Sequence, residues 1–174
     1  LEGYAFAFCK NLSQVTIGNS LEVIGSYAFS GCSNLSKVTI GNKVKTIEQS
    51  AFQQCTLLSS IVWGESLLVI ENDAFSSCSS LTSITLPNTL VSIGYNAFAW
   101  SGLTSINIPS SVAKIGTQAF SGCYDLKAIT VDANNPSYCD IDGVLCNKTK
   151  QILYQYPNYP EYICSPGSPA YCKC

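Results

Sequence analysis

Cysteine is the residue type with the most chemistry to offer here: ten occur in 174 residues. Cys9, Cys32, Cys55 and Cys78 stand 23 residues apart, and Cys123 resumes the series after Ser101 has taken one cysteine place. As a metal site the series fails. Residues recurring at one period form a line rather than a tetrahedron, and no His or C-x-x-C accompanies them, so no metal and no other cofactor is expected. As disulfides they would stand side by side with parallel Cβ directions, a poor fit to bridge geometry. The plainer reading is preferred: small buried thiols filling one corner of the fold.

Cys139, Cys146, Cys164, Cys172 and Cys174 differ. Asp142-Gly143 between apolar residues is a two-residue hairpin signal. That turn sets Ile141 against Val144 and Cys139 against Cys146, so a cross-strand bridge is conceivable. Residues 158–174 are rich in Pro, Gly and Ser, and Cys164, Cys172 and Cys174 read as the opening of a further disulfide-bonded module. The alternative is a loose tail with free thiols. The disulfide reading is preferred because exposed unpaired Cys is a liability, and it implies an oxidising compartment. Three sequons, starting at Asn11, Asn34 and Asn147, are compatible with a secretory route without requiring one.

No catalytic set can be assembled. The chain has no His, which excludes Ser/His/Asp and Cys/His arrangements, and its acids (Asp73, Asp125, Asp132) are scattered at turn positions. An enzyme is not expected. Nine Lys with no Arg and a net charge of -2 supply no basic stripe for nucleic acid. No run approaches the ~18 apolar residues of a membrane span. Charged residues make up only 11%, so Ser, Thr, Asn and Gln must supply the polar surface.

What must position these side chains is a repeat. Phe6, Phe29, Phe52, Phe75, Phe98 and Phe120 each follow an alanine, at steps of 23, 23, 23, 23 and 22. Leu12, Leu35, Leu58, Leu81, Leu103 and Leu126 open a stretch of type L-x-x-[VI]-x-[aliphatic], and a second pulse ends at Ile24, Ile47, Ile70, Ile93 and Ile115. Such a unit cannot bury its own apolar face and must stack on its neighbours. In Leu81–Leu86 the residues Ile84 and Leu86 alternate with Ser83 and Thr85, the pattern of a half-buried strand. Pro87-Asn88 stops it, as Gly18-Asn19 and Gly41-Asn42 do in earlier units. Stacked coils predict a parallel sheet with strands about 4.8 Å apart.

The pattern A-F-x-x-C-x-x-L-x-x-[IV]-x-[ILV], as in Ala28-Phe29-Ser30-Gly31-Cys32-Ser33-Asn34-Leu35-Ser36-Lys37-Val38-Thr39-Ile40, resembles the BspA-like (Treponema-type) leucine-rich-repeat family. Where more familiar leucine-rich repeats carry Asn or Cys, this chain has Ser20, Lys43, Ser66, Thr89 and Ser111, so no buried Asn ladder is expected. The stretch from Asn135 to Pro157 looks like the hairpin insert seen in many members. The resemblance implies a surface protein of a microbe or parasitic protist, with relatives associated with adhesion to host matrix proteins or other cells.

The expected fold is therefore mainly β. Residues 1–131 form a leucine-rich-repeat solenoid of about six repeats, truncated at the N-terminus, with a parallel sheet on one face and short second strands and turns on the other. Residues 132–157 form a C-terminal β-hairpin insert or cap, and 158–174 a Cys/Pro-rich tail. The candidate binding residues are the outward strand positions Gln14, Thr16, Lys37, Thr39, Ser60, Val62, Ser83, Thr85, Ser105, Asn107 and Thr130, with Trp100 counted among them on the sheet face. Two readings stand side by side, a docking surface of small hydroxyls or simply Thr and Ser keeping a sheet soluble. Trp63 stands at an inward position and reads as core. For Trp100, plugging the corner beside Ser101 is preferred over an exposed interface anchor.

These readings imply a non-enzymatic, extracellular or cell-surface protein that engages a protein or glycan partner, such as host extracellular matrix or another cell-surface protein. The segment itself inserts in no membrane. The alternatives are a structural spacer within a larger surface protein and a cytoplasmic scaffold with reduced thiols.

Overall fold

The structure is a computed structural model in which residues 1–148 are described. In chain order the strands are β1 (Gln14–Thr16), β2 (Val23–Ile24), β3 (Lys37–Thr39), β4 (Thr46–Ile47), β5 (Ser60–Val62), β6 (Val69–Ile70), β7 (Ser92–Ile93), β8 (Ser105–Ile108), β9 (Lys114–Ile115), β10 (Ala128–Val131), β11 (Tyr138–Ile141) and β12 (Val144–Asn147). Six coils stack one repeat apart, and the pairing is parallel until the last two strands.

Alternating β-branched residues make the first seam. β1, β3 and β5 pair in order, with Val15 beside Val38 and Val38 beside Ile61. β8 and β10 continue the same face. The opposite seam, β2-β4-β6-β7-β9, aligns Ile24, Ile47, Ile70, Ile93 and Ile115, all buried.

A third seam was not foreseen. Flanking each Ala-Phe, two positions per coil adopt the left-handed backbone: Tyr4 and Phe8, Tyr27 and Gly31, Ser50 and Gln54, Asp73 and Ser77, Asn96 and Trp100, Gln118 and Gly122. A non-glycine residue there costs roughly 1–2 kcal/mol. The stack offsets that cost, because this geometry aims alternate amides at the next coil: Tyr27 N–H donates to Gln49 O at 2.9 Å, Phe29 to Ala51 at 2.8 Å and Gly31 to Gln53 at 2.8 Å.

Between the seams lies the core. Phe29, Phe52, Phe75 and Phe98 are fully buried, and consecutive rings from Phe6 to Phe120 stack nearly parallel with centroids 5.2 to 5.9 Å apart. The fifth coil is one residue shorter. The loss falls at Ser101-Gly102, where Gly102 presses on the Ser79 carbonyl in a turn too tight for any Cβ.

The strand expected over Leu81–Leu86 does not form; only Thr85 bridges, to Asn107. Its neighbour explains why. Ile17 and Ile40 donate their amides to Thr39 O and Val62 O, each at 2.8 Å. Trp63 occupies the same place, but it is the indole N–H that donates to Thr85 O, at 2.6 Å. The half-buried ring meets Phe75 edge-on at 5.9 Å, and the ladder opens between β5 and the fourth coil. Trp63 thus packs against the core without entering it fully.

Coil six repeats the turn of its predecessors as far as Asn135, whose amide donates to Asp132 O. The hairpin comes next. Asp142 and Gly143 have φ of 49° and 81°, the two positive values a type I′ turn requires. Ile141 pairs with Val144 and Cys139 with Cys146, in the expected register, but the cross-strand bridge that this register made conceivable does not form: Cys146 keeps its thiol. The 158–174 tail, with Cys164, Cys172 and Cys174, lies outside the described residues, as does the part of the expected hairpin segment beyond 148.

Candidate binding face

The strand seam gathers the outward residues into two columns. Gln14, Lys37 and Ser60 are adjacent in register, as are Thr16, Thr39 and Val62. Thr85 bridges to Asn107, which pairs with Thr130, while Ser105 pairs with Ala128. All the strand-face candidates are exposed except Thr39, which is half-buried. The face carries hydroxyls, amides, one ammonium (Lys37) and one exposed aliphatic (Val62). Part of its polarity is spent internally: Asn107 Nδ2 donates to Thr130 Oγ1 at 3.0 Å. Beside the columns, the Ser36 and Thr104 hydroxyls donate back to Ser13 O and Thr82 O.

Trp100 is not on this face. It lies in the Ala-Phe seam at φ 54°, and its indole is 49% exposed. The expectation that it plugs the corner is overturned: Ser101 fills that place, buried, with Oγ 3.2 Å from Cys123 Sγ. The left-handed turn throws the Trp100 side chain outward over Gly122, whose missing Cβ leaves room for the ring. Tyr124, 66% exposed, stands where the other coils have Lys10, Ser33, Thr56 and Ser79, and was not singled out from sequence. A single aromatic in a polar column was the available signal.

The cysteine column is a hydrogen-bonded ladder, which spacing alone did not reveal. Cys32 Sγ donates to Phe6 O at 3.0 Å, Cys55 to Phe29 O at 3.2 Å, Cys78 to Phe52 O at 3.3 Å and Cys123 to Phe98 O at 3.1 Å. These four are buried; Cys9, in the outermost coil, is exposed. Desolvation pushes the Cys78 thiol up to about 12 from its usual 9.0. It raises Cys55 as well, with the neighbouring Cys78 and Cys32 thiols adding to the effect, and it raises Cys32 and Cys123. Thiols held protonated are poor nucleophiles and poor metal ligands. In the hairpin, the buried Cys146 thiol points to Val144 O at 3.6 Å. Among the described residues no group of three or more His, Cys, Asp or Glu is placed to hold a metal ion. Nor is any described helix long and apolar enough to cross a membrane.

The description "BspA type Leucine rich repeat region" matches residues 1–136 in six copies. No curated protein matches the chain. Among solved structures, a leucine-rich repeat protein from Eubacterium ventriosum is similar at 31% identity and TM-score 0.77, over 83% of this chain and 38% of that one. The pneumococcal vaccine antigen PcpA is similar at 31% identity and TM-score 0.77, over 83% and 36%. A leucine rich cell surface protein from Faecalibacterium prausnitzii is similar at 32% identity and TM-score 0.64, over 90% and 49%. The chain thus spans less than half the length of each.

Proposed function

Because the chain belongs to the BspA-type leucine-rich-repeat family, we propose that it is a non-enzymatic binding protein of the cell surface or extracellular space, engaging a protein or glycan through its strand face. The partner class is a host matrix protein or another cell-surface protein. One observation supports this reading: two columns of mostly polar side chains, exposed from Gln14 to Thr130 apart from half-buried Thr39, with Lys37 the one charge in them to desolvate on contact. The descriptions of relatives as a cell surface protein and a vaccine antigen support the location. Under it, Cys139 and the tail residues Cys164, Cys172 and Cys174 are the pool for disulfides.

The test is binding to immobilised matrix proteins by the chain and by Thr39→Lys, Thr85→Lys and Asn107→Lys, with Val23→Lys at an exposed position of β2 in the other sheet as control. A loss of about tenfold or more confined to the first three supports the reading. Equal binding by all four removes the strand face from it. A second reading, a structural spacer, is favoured by the hydroxyls that tie coil to coil, such as Ser36 to Ser13 O and Thr104 to Thr82 O; it predicts no binding at all. Ten thiols titrated on the non-reduced protein after denaturation would instead favour a cytoplasmic scaffold.

A further inference from the structure

We propose that the outer wall of the second sheet, around β6, β7 and β9, is a self-association surface, and that its occupant is the same wall of a second copy of this chain. One column of the wall changes character along the stack. Leu68 N–H donates to Lys45 O at 2.9 Å, Val91 to Leu68 O at 2.8 Å and Ala113 to Val91 O at 2.9 Å, so these four residues follow one another strand by strand. Coils one and two fill the column with Glu22 and Lys45, an ion pair at 2.9 Å. Coils three to five fill it with apolar groups instead: Leu68 is 40% and Val91 43% exposed, and Val69 beside them is half-buried. Tyr95, 42% exposed, completes the patch. Each of these coils has a neighbour on both sides, so the exposure belongs to the wall and not to an end of the stack.

Charge indicates what covers the patch. Glu71 and Lys114 flank it, and neither has an ion-pair partner among the described residues. Register relates the two. Counted from Ile93, Lys114 stands one strand on and one residue back, and Glu71 one strand back and one residue on. Strands lie about 4.8 Å apart and residues about 3.3 Å apart along them. A two-fold axis lying in the face, at right angles to the line from Lys114 to Glu71, therefore sets each of them against the other in a second copy. The same rotation lays Val91 against Val69 of that copy and Tyr95 over its Gly116, where no side chain obstructs the ring. Leu68 lies on the axis and meets its own equivalent. Contacts off the axis occur twice, the isologous arrangement that closes at two copies. The opposite charges fix the orientation, and the apolar centre supplies the affinity. Both strand faces then point away from the contact, so the dimer presents that surface twice; the dimer itself does not depend on what the strand face binds.

The test is sedimentation velocity of the 174-residue chain at rising concentration, with a reductant present so that cysteines do not cross-link copies. A monomer–dimer equilibrium with a Kd of about 1–100 μM is expected for a contact of this small size. Val91→Asp places two unpaired carboxylates in the contact and is expected to weaken it by about tenfold or more. Lys114→Glu and Glu71→Lys should each weaken it by about tenfold, because like charges then oppose one another. The chain carrying both exchanges should return to within about threefold of the parent. A chain that stays monomeric up to about 1 mM overturns the proposal and leaves the patch to a different protein. So does a dimer that Val91→Asp leaves intact, and so does a double exchange no better than the single ones. If Val91→Asp loses its circular-dichroism signature, Leu68→Lys replaces it, and the same outcomes support or overturn the dimer.

Discussion

The indole of Trp100 lies over Gly122 one coil on, so that a Cβ at position 122 would overlap the ring. Phe8 and Gly31 repeat the relationship at the other end of the stack. Both glycines have φ of 71°, so backbone and space both favour glycine where the preceding coil presents an aromatic.

Gly122→Ala is therefore expected to destabilise the fold by about 1–3 kcal/mol, from the left-handed backbone and from displacement of the indole. Thermal unfolding with Trp fluorescence checks it. Trp100→Ala in the same chain should recover part of the loss, and a double-mutant cycle isolates that part. A Gly122→Ala protein as stable as the parent would contradict the packing.

Trp63→Ile should close the gap in the strand seam. With the indole gone, the residue-63 amide is expected to take Thr85 O as the amides of Ile17 and Ile40 take theirs. Exchange protection at residue 63 is the readout. An amide that stays fast-exchanging would show that the break has another cause.

Repeat architecture makes the interior Phe positions unequal. Phe52→Ala, with rings on both sides at 5.2 and 5.3 Å, is expected to cost about 3–5 kcal/mol in denaturant unfolding. Phe6→Ala, stacked on one side only and half exposed, should cost clearly less. Equal losses would mean that the stack is not a linear array of neighbours.

The thiol ladder sets an alkaline limit. Burial raises the Cys55 and Cys78 thiols above the usual 9.0, so the unfolded chain releases these protons first as pH rises. Stability from these groups is complete below about pH 9 and falls above it, by about 1.4 kcal/mol per pH unit for each thiol while only the unfolded form is ionised. Urea unfolding at pH 7 to 11 checks the slope. Cys55→Val with Cys78→Val should flatten it. In native protein at pH 8, Cys9 should react with a thiol reagent while Cys32, Cys55, Cys78 and Cys123 stay silent.

Sequence periodicity carried the fold because each buried column recurs at one place per coil: Leu35 predicts Leu58, and Phe29 predicts Phe52. The Cys139–Cys146 register was legible for the same local reason, the Asp142-Gly143 turn. What stayed hidden depends on backbone sign rather than on side-chain polarity. Nothing in the letters of Tyr27, Ser50, Asp73 or Gln118 announces a left-handed residue, so the third seam went unread and Trp100 was assigned to the wrong side of the wall. Trp63 misled differently, since its apolar body fits the inward place while its N–H competes for a backbone acceptor.

At the corner formed by Ser101 and Gly102, the fifth coil loses a residue without disturbing the sixth: Phe98 still stacks on Phe120, and Cys123 still reaches Phe98 O. The wall therefore absorbs the lost residue at this one corner, beside a cysteine place, while β7 still pairs with β9 and β8 with β10. Length variation should be absorbed there, which makes the same corner the natural graft point for a foreign loop.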